Sequence, residues 1–402
     1  MPRILRIINR FNLGGPTHNA AYLTRYLPSD FETLLVGGSQ EGSEEGSHHI
    51  LSSMGVEPMI LPELQREVAP WRDHGAYRRI KQLIKEFKPD IVHTHAAKAG
   101  AVGRMAAIEM GVKGIVHTFH GHVFHSYFGP LRTTIYKNIE RYLAKRSSRI
   151  VAISEKQRTE LVDEHHICGN EKIQVIPLGF DLTRFQQDQQ GKRALFRQVY
   201  GVADDEIAIG IVGRLVPVKN HALFLNVIAE VQRTTKRKIR AFIVGDGEER
   251  EHLQQQVDLL GISRISAPYF NGHGFGHGVK GEPIVPPATI TFTSWIKDVD
   301  IVNAGLDIVM LTSLNEGTPV SLIEAQAASR PVISTRVGGI ENVVIPGRTA
   351  LLSESGDVSG LRDSLISLIE NDTLRQNMGD QGWDHVKERY HYTRLVNDTV
   401  NM

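Results

Sequence analysis

The chain has almost no cysteine. Cys168 stands alone among 402 residues, so no internal disulfide can form, and the composition suits a reducing compartment. It also lacks charge of one sign. The 46 Lys and Arg are balanced by 45 Asp and Glu, a formal charge of +1, so nothing global points to nucleic acid as a partner. No apolar run approaches the ~20 residues that a spanning helix needs. The run from Met1 to Ile8 is too short for a signal peptide, and no small-residue cleavage site follows it. The expectation is a cytoplasmic protein, at most peripheral on the inner face of a membrane. No short internal repeat is visible.

What is present suffices for two cores. Apolar residues make up 41% of the chain, at a length that suits two domains of ordinary size. Apolar runs that read as strands alternate with segments of helical spacing. Ile4–Ile8, Phe31–Val36, Ile91–His93, Gly114–Thr118, Arg149–Ala152 and Ile173–Ile176 are the strands of a first set. After a polar stretch, Gln186 to Lys192, the rhythm restarts at Ile207–Val212. It continues through Ala241–Val244, Ile290–Phe292, Ile308–Leu311 and Pro331–Ser334. Alternation of this kind implies parallel sheets wrapped by helices, hence an α/β protein of two doubly wound Rossmann-like domains facing across a cleft. The expected boundaries are 1–182, 183–385 and a terminal helix, 386–402, crossing back to the first domain. One segment breaks the rhythm. Residues 266–288 hold five glycines and four prolines, read as disordered, and their His273 and His277 lack the companions of a metal site.

Several short stretches could carry chemistry. Glu316 lies in the loop after the run ending at Leu311, and Glu324 lies inside the next helix. Between them Gly317, Thr318, Pro319 and Val320 form a helix N-terminus, whose free N–H groups attract phosphate or sugar oxygens. Two acids framing such a site suit a nucleotide-sugar. Gly213-Arg214 and Lys219 follow the first strand of the second set, where cations would meet a diphosphate. Gly14 and Gly15 sit between the first strand and first helix, where glycine lets the backbone approach a ligand. His117, His120, His122 and His125 crowd one strand end. With no cysteine near and no H-E-x-x-H helix, a single histidine donating to a substrate oxygen is a better reading than zinc. His93 and His95 read as hydrogen-bonded histidines at the core edge. The helix from Leu131 carries Arg132, Lys137, Arg141, Lys145 and Arg146 beside an apolar stripe of Ile135, Ile139, Tyr142 and Leu143. That stripe either packs into the domain, with the cations in water, or lies with them on anionic lipid.

Taken together and in this order, these pieces resemble glycosyltransferase family 4, retaining enzymes of the two-domain GT-B type. The resemblance spans nearly the whole chain. Its most specific part is the E-x7-E pair with the Arg/Lys pair, joined by Gly245-Asp246-Gly247, Val337-Gly338-Gly339-Ile340-Glu341 and Gly347 to Leu352. It implies that Glu316 holds donor-sugar hydroxyls with the N–H groups of Gly317 to Val320, and that Glu324 holds the ribose. It implies that Arg214 and Lys219 bind the donor diphosphate, that Gly15 approaches the phosphate, and that His120 touches the donor sugar. It implies no metal and no cofactor, with the nucleotide-sugar, a UDP-sugar by preference, as co-substrate. The expected acceptor is a saccharide or lipid-linked saccharide in polysaccharide biosynthesis. Two departures stand out: the 266–288 segment, and a Gly-Gly-Ile-Glu turn without the family's proline. A non-hydrolysing nucleotide-sugar epimerase and a non-catalytic nucleotide-sugar-binding subunit remain as alternatives, separable by turnover without acceptor and by binding without transfer.

Overall fold

The computed structural model describes residues 1–12, 14–39, 48–65, 69–121, 129–266 and 288–402. The expectation for the Gly/Pro-rich segment therefore falls outside the described residues across 267–287, as do His122 and His125. Two compact units divide the chain: Met1–Phe180 with Tyr390–Met402, and Asp181–Arg389.

Unit 1 holds β1 (Arg3–Arg10), α1 (Gly15–Arg25), β2 (Glu32–Gly38), α2 (His48–Ser53), β3 (Met59–Ile60) and α3 (Pro70–Phe87). It continues through β4 (Ile91–His95), α4 (Ala97–Glu109), β5 (Gly114–Phe119), α5 (Pro130–Arg146), β6 (Arg149–Ala152), α6 (Glu155–Thr159) and β7 (Ile173–Val175). Its seven strands are all parallel, in the order β3-β2-β1-β4-β5-β6-β7.

Unit 2 holds α7 (Gln189–Tyr200), β8 (Ile207–Val212), α8 (His221–Thr234), β9 (Ile239–Val244), α9 (Arg250–Leu259), β10 (Arg264–Ser266) and β11 (Ile290–Ser294). Then come α10 (Val299–Gly305), β12 (Ile308–Leu311), α11 (Val320–Ala327), β13 (Val332–Thr335), α12 (Ile340–Val343), β14 (Ala350–Ser353), α13 (Val358–Glu370) and α14 (Asp372–Val386). Its sheet is also parallel, in the order β10-β11-β9-β8-β12-β13-β14. The strands read as apolar runs rather than alternations because both faces are covered by helices. β8 and β9 are buried almost throughout. Helix ends follow local rules. Asp188 caps α7 through the Gly191 N–H, and Gly201, left-handed at φ 60°, ends it.

The chain's end departs from the expected single terminal helix over 386–402. α14 stops at Val386, and a separate α15 (Tyr392–Val400) begins after His391. The break has a cause. Phe180 donates to Tyr390 O at 2.8 Å and accepts from the Tyr392 N–H at 3.1 Å, which demands extended backbone at His391. α15 then joins unit 1. Tyr392 stacks on Tyr22, and Arg394 donates to the carbonyls of Pro177 and Leu178.

α5 is fixed by a buried ion pair. Arg104 of α4 donates from Nη2 to Glu140 Oε2 at 2.6 Å, with both side chains out of water. Glu140 is the sole acid of α5. Removing it strands a buried guanidinium, a loss of about 3 kcal/mol. Glu140→Gln is expected to lower the unfolding free energy by that amount, seen as a lower denaturant midpoint at unchanged slope. A double change to Arg104→Met with Glu140→Leu is expected to recover most of it, read by the same unfolding titration.

Candidate active site

In a parallel sheet all strands end on one edge, and ligands bind beyond that edge where strand order reverses. In unit 2 the reversal falls between β8 and β12, the strands that lead to Arg214 and Glu316. The loop after β8 makes a 3-10 turn, Pro217–Lys219, which brings Lys219 back toward β12. Lys219 Nζ forms an ion pair with Glu316 Oε1 across the reversal, and Ser313 Oγ donates to the same oxygen at 2.6 Å. The carboxylate is thus held through one oxygen. Oε2 has no hydrogen-bond partner among the described residues. The Arg214 side chain is exposed, with no hydrogen-bond or ion-pair partner among the described residues.

Backbone packing holds the Glu316 loop from behind. The Gly339 N–H donates to Glu316 O at 2.8 Å. A Cβ on Gly338, left-handed at φ 54°, would lie 2.0 Å from Glu316 O, and one on Gly339 would lie 1.8 Å from Gly317 O. Only glycine fits at either place. Loss of the family's proline from this turn leaves that packing intact. α11 begins at Val320 after its N-cap Pro319, so Val320 carries an N–H in its first turn, while the N–H groups of Gly317 and Thr318 belong to the loop just before the cap. Pro319 has no N–H, which corrects the expectation that the whole stretch from Gly317 to Val320 donates.

Glu324 lies one turn further along α11. Its side chain is partly buried and has no hydrogen-bond partner among the described residues. Burial pushes its carboxyl up to about 7, against the pull of the Arg184 guanidinium, and Asp300 adds to the rise. A second loop supports Arg214. Leu215 N–H donates to Asp246 O at 3.0 Å, and a Cβ on Gly245 would lie 2.0 Å from Gly213 O. Asp246 is fixed by Ser294 Oγ at 2.6 Å and by Arg250.

In unit 1 the order reverses between β1 and β4. Gly14 and Gly15 follow β1, and Gly15 is the first residue of α1. Gly14 is extended, and an added Cβ would meet nothing nearer than 3.7 Å, so local packing does not require glycine there. His95 ends β4, and His120 follows β5 in the next turn. Their rings meet, with His95 Nδ1 and His120 Nε2 2.9 Å apart. His93 Nε2 lies 2.8 Å from Thr118 Oγ1, and His117 Nδ1 lies 2.8 Å from Thr94 Oγ1. Burial lowers all four rings, His120 to about 3, and the Arg6 charge lowers His93 and His95 further. The cluster is neutral at ordinary pH. Among the described residues no three His, Cys, Asp or Glu side chains converge to hold a metal ion.

The sequence reading missed Ser313, Arg184 and the ring contact of His95. Ser313 lay three residues before Glu316, a spacing that offered a signal. Arg184 and His95 are joined to their partners only by folding.

The model for Glycosyltransferase Family 4 matches residues 13–184, and models for Glycosyl transferases group 1 match residues 192–265 and 280–371. The chain is 27% identical over 322 residues to an Escherichia coli UDP-Gal:alpha-D-GlcNAc-diphosphoundecaprenol alpha-1,3-galactosyltransferase, covering 79% of this chain and 76% of that one. It is 29% identical over 327 residues to a D-inositol 3-phosphate glycosyltransferase of Nocardia farcinica, covering 80% and 67%. The fold matches the crystal structure of Anabaena Alr3699/HepE in complex with UDP, with TM-score 0.77, 18% identity, and coverage of 99% and 98%. Two Rossmann-like units of this topology define a GT-B protein, and the matches make it a sugar-transferring enzyme. The chain belongs to glycosyltransferase family 4.

Glu324 is protonated at mildly acid pH and ionises near 7. A folded value raised above the unfolded one contributes stability below the unfolded value, about 4.3 for glutamate, and that contribution is lost as pH rises through 7. Carbon-detected NMR titration of Glu324 should show a midpoint near neutrality. Arg184→Ala should move it higher, because the nearby cation is removed. A midpoint near that of free glutamate would contradict the burial seen here.

Proposed function

We propose that this enzyme moves a sugar, with retention of anomeric configuration, from a UDP-sugar to a lipid-linked saccharide during polysaccharide biosynthesis. The observation that carries the donor side is the Lys219–Glu316–Ser313 group at the strand-order reversal, with Arg214 exposed in the same loop as Lys219. The names of two relatives support the choice of donor: one uses UDP-Gal, and the other was crystallised with UDP. Lys219 has three N–H donors and can keep Glu316 while gripping a diphosphate oxygen. Arg214 adds a planar fork. Glu316 Oε2 and the N–H groups of Gly317, Thr318 and Val320 hold sugar hydroxyls or phosphate oxygens, and Glu324 accepts from ribose hydroxyls.

In the reaction an acceptor oxygen bonds to the anomeric carbon as the bond from that carbon to the diphosphate oxygen breaks. The departing phosphate oxygen takes the acceptor's proton. The products are UDP and the new glycoside. The two cations stabilise the charge that grows on the leaving group, so the scheme uses no metal and no further cofactor. His120 donates to a sugar oxygen. An epimerase would turn over the nucleotide-sugar without acceptor, and a binding subunit would hold it without transfer.

The acceptor side rests on α5. Leu131, Ile135, Ile139 and Tyr142 are exposed, at 77%, 50%, 39% and 51%. Most of the stripe therefore does not pack into unit 1; Leu143 alone of the expected set is buried. The sole acid, Glu140, is spent on Arg104. Arg132, Lys145 and Arg146 are exposed, while Arg141 is committed to the carbonyls of His165 and His166. A helix with an exposed apolar stripe and unneutralised cations suits the surface of an anionic bilayer, where an acceptor on a lipid carrier is presented. No helix among the described residues is long and apolar enough to cross one.

Two experiments test this. In a UDP-sugar panel with acceptor, UDP release should identify the donor. Lys219→Ala and Arg214→Lys should each lose roughly 2 to 4 kcal/mol of barrier lowering, about 30- to 1000-fold in rate. Activity that vanishes with EDTA and returns with a divalent ion would overturn the metal-free scheme. Vesicle co-sedimentation tests α5. Pelleting should require anionic lipid, fall with salt, and weaken in Ile135→Ser with Ile139→Ser, since each basic residue contributes about 1 kcal/mol at such a surface. Equal pelleting with neutral vesicles, or none at all, would leave a soluble acceptor.

A further inference from the structure

We propose that His95 is a positioning residue that fixes the tautomer of His120, donating from its Nδ1–H to His120 Nε2 so that His120 presents its Nδ1–H. The geometry is the 2.9 Å contact between the two nitrogens, made where β4 and β5 end side by side. A neutral imidazole has one N–H, so in this pair one ring donates and the other accepts. The outer nitrogens, His95 Nε2 and His120 Nδ1, are shielded from water and have no partner among the described residues. Either assignment therefore leaves one N–H without an acceptor.

The surroundings decide where that N–H sits. His95 is wholly buried, and the Arg6 charge lies close enough to disfavour proton-rich states of its ring. An orphan N–H on His95 would add its positive end to that field. At His120, in the turn beyond β5, burial alone lowers the ring and the Arg6 charge does not act on it, so an orphan N–H on Nδ1 meets no such opposition. The remaining faces do not reverse the choice. His93 stacks on His95 at 4.3 Å between ring centres and is spent on Thr118, while His117 is spent on Thr94. All are neutral through burial, so the pair is held by a neutral hydrogen bond. What the presented N–H does, donation to a sugar oxygen, rests on the glycosyltransfer reading. The tautomer itself does not.

Nitrogen NMR of the free, histidine-labelled protein tests the tautomer directly, with the His120 signals assigned by their loss in His120→Gln. The expected result is a protonated Nδ1 and a bare Nε2. His95→Asn, whose amide reaches the place of Nδ1, should keep that state, and His95→Leu should lose it. Circular dichroism on each variant checks that it is folded. A protonated Nε2 in the wild type, or a tautomer indifferent to His95→Leu in folded protein, would overturn the proposal. In transfer assays with the donor found by the panel, His95→Leu should lower kcat about tenfold with little change in donor KM, and His95→Asn should restore most of it. A purely structural role would not give rescue by Asn. If His120→Gln transfers at the wild-type rate while the tautomer result stands, the assignment of His120 to the sugar fails and the orientation by His95 survives.

Discussion

Two strands that leave the centre of a parallel sheet toward opposite sides cannot both have their following loops covered by the same helices. The gap that results is the constraint on which this enzyme's site depends. In unit 2 it opens between β8 and β12. The loop after β8 supplies cations and the loop after β12 supplies a carboxylate, so opposite charges meet across the gap as the Lys219–Glu316 pair. Neither loop holds its shape alone. The first is fixed by the glycine-rich turn after β9, and the second by Gly338 and Gly339 after β13. In each case backbone lies against backbone at a distance that no side chain permits. The glycines of these supporting turns preserve the position of groups that they do not themselves resemble chemically.

Charge is distributed along the same lines. Several ionic groups away from these loops are neutralised internally. Asp307 takes Arg193 and Arg197, and Glu140 takes Arg104. At the strand ends the pattern changes. Arg214 has no acid, Glu324 has no direct donor, and His120 has a nitrogen without an acceptor among the described residues. Unmet polar groups are costly in a finished structure and are tolerated where a ligand completes them. On α5 the same logic acts at the surface, because an internal ion pair removes the one acid and leaves the outer face cationic.

Much of the fold was legible because parallel strands buried on both faces have a plain signature. Ile207–Val212 and Ala241–Val244 are apolar throughout, and each is followed by the polar, glycine-rich turn that a strand end requires. The loop position of Glu316 and the helix position of Glu324 follow from the same punctuation. The end of the chain was less legible. Trp383 to Met402 has helical spacing, but a backbone bridge to Phe180 interrupts it, and no local pattern announces a partner more than two hundred residues away. The α5 stripe failed to read for a related reason. Apolar spacing on a helix shows that one face is apolar without saying whether anything covers it.

By itself, then, the amino-acid order determined which segments are strands, which turns need glycine, and which residue types stand at the strand ends, because those depend on near neighbours and on period. Tertiary structure alone decided which of them touch. Lys219 and Glu316, and His95 and His120, are far apart along the chain, and strand order brings them together, while folding sets Arg184 near enough to Glu324 for its charge to act on the carboxyl. The pKa of Glu324 and the neutrality of the histidine cluster belong to the same class, since desolvation is a property of packed surroundings and has no local signature.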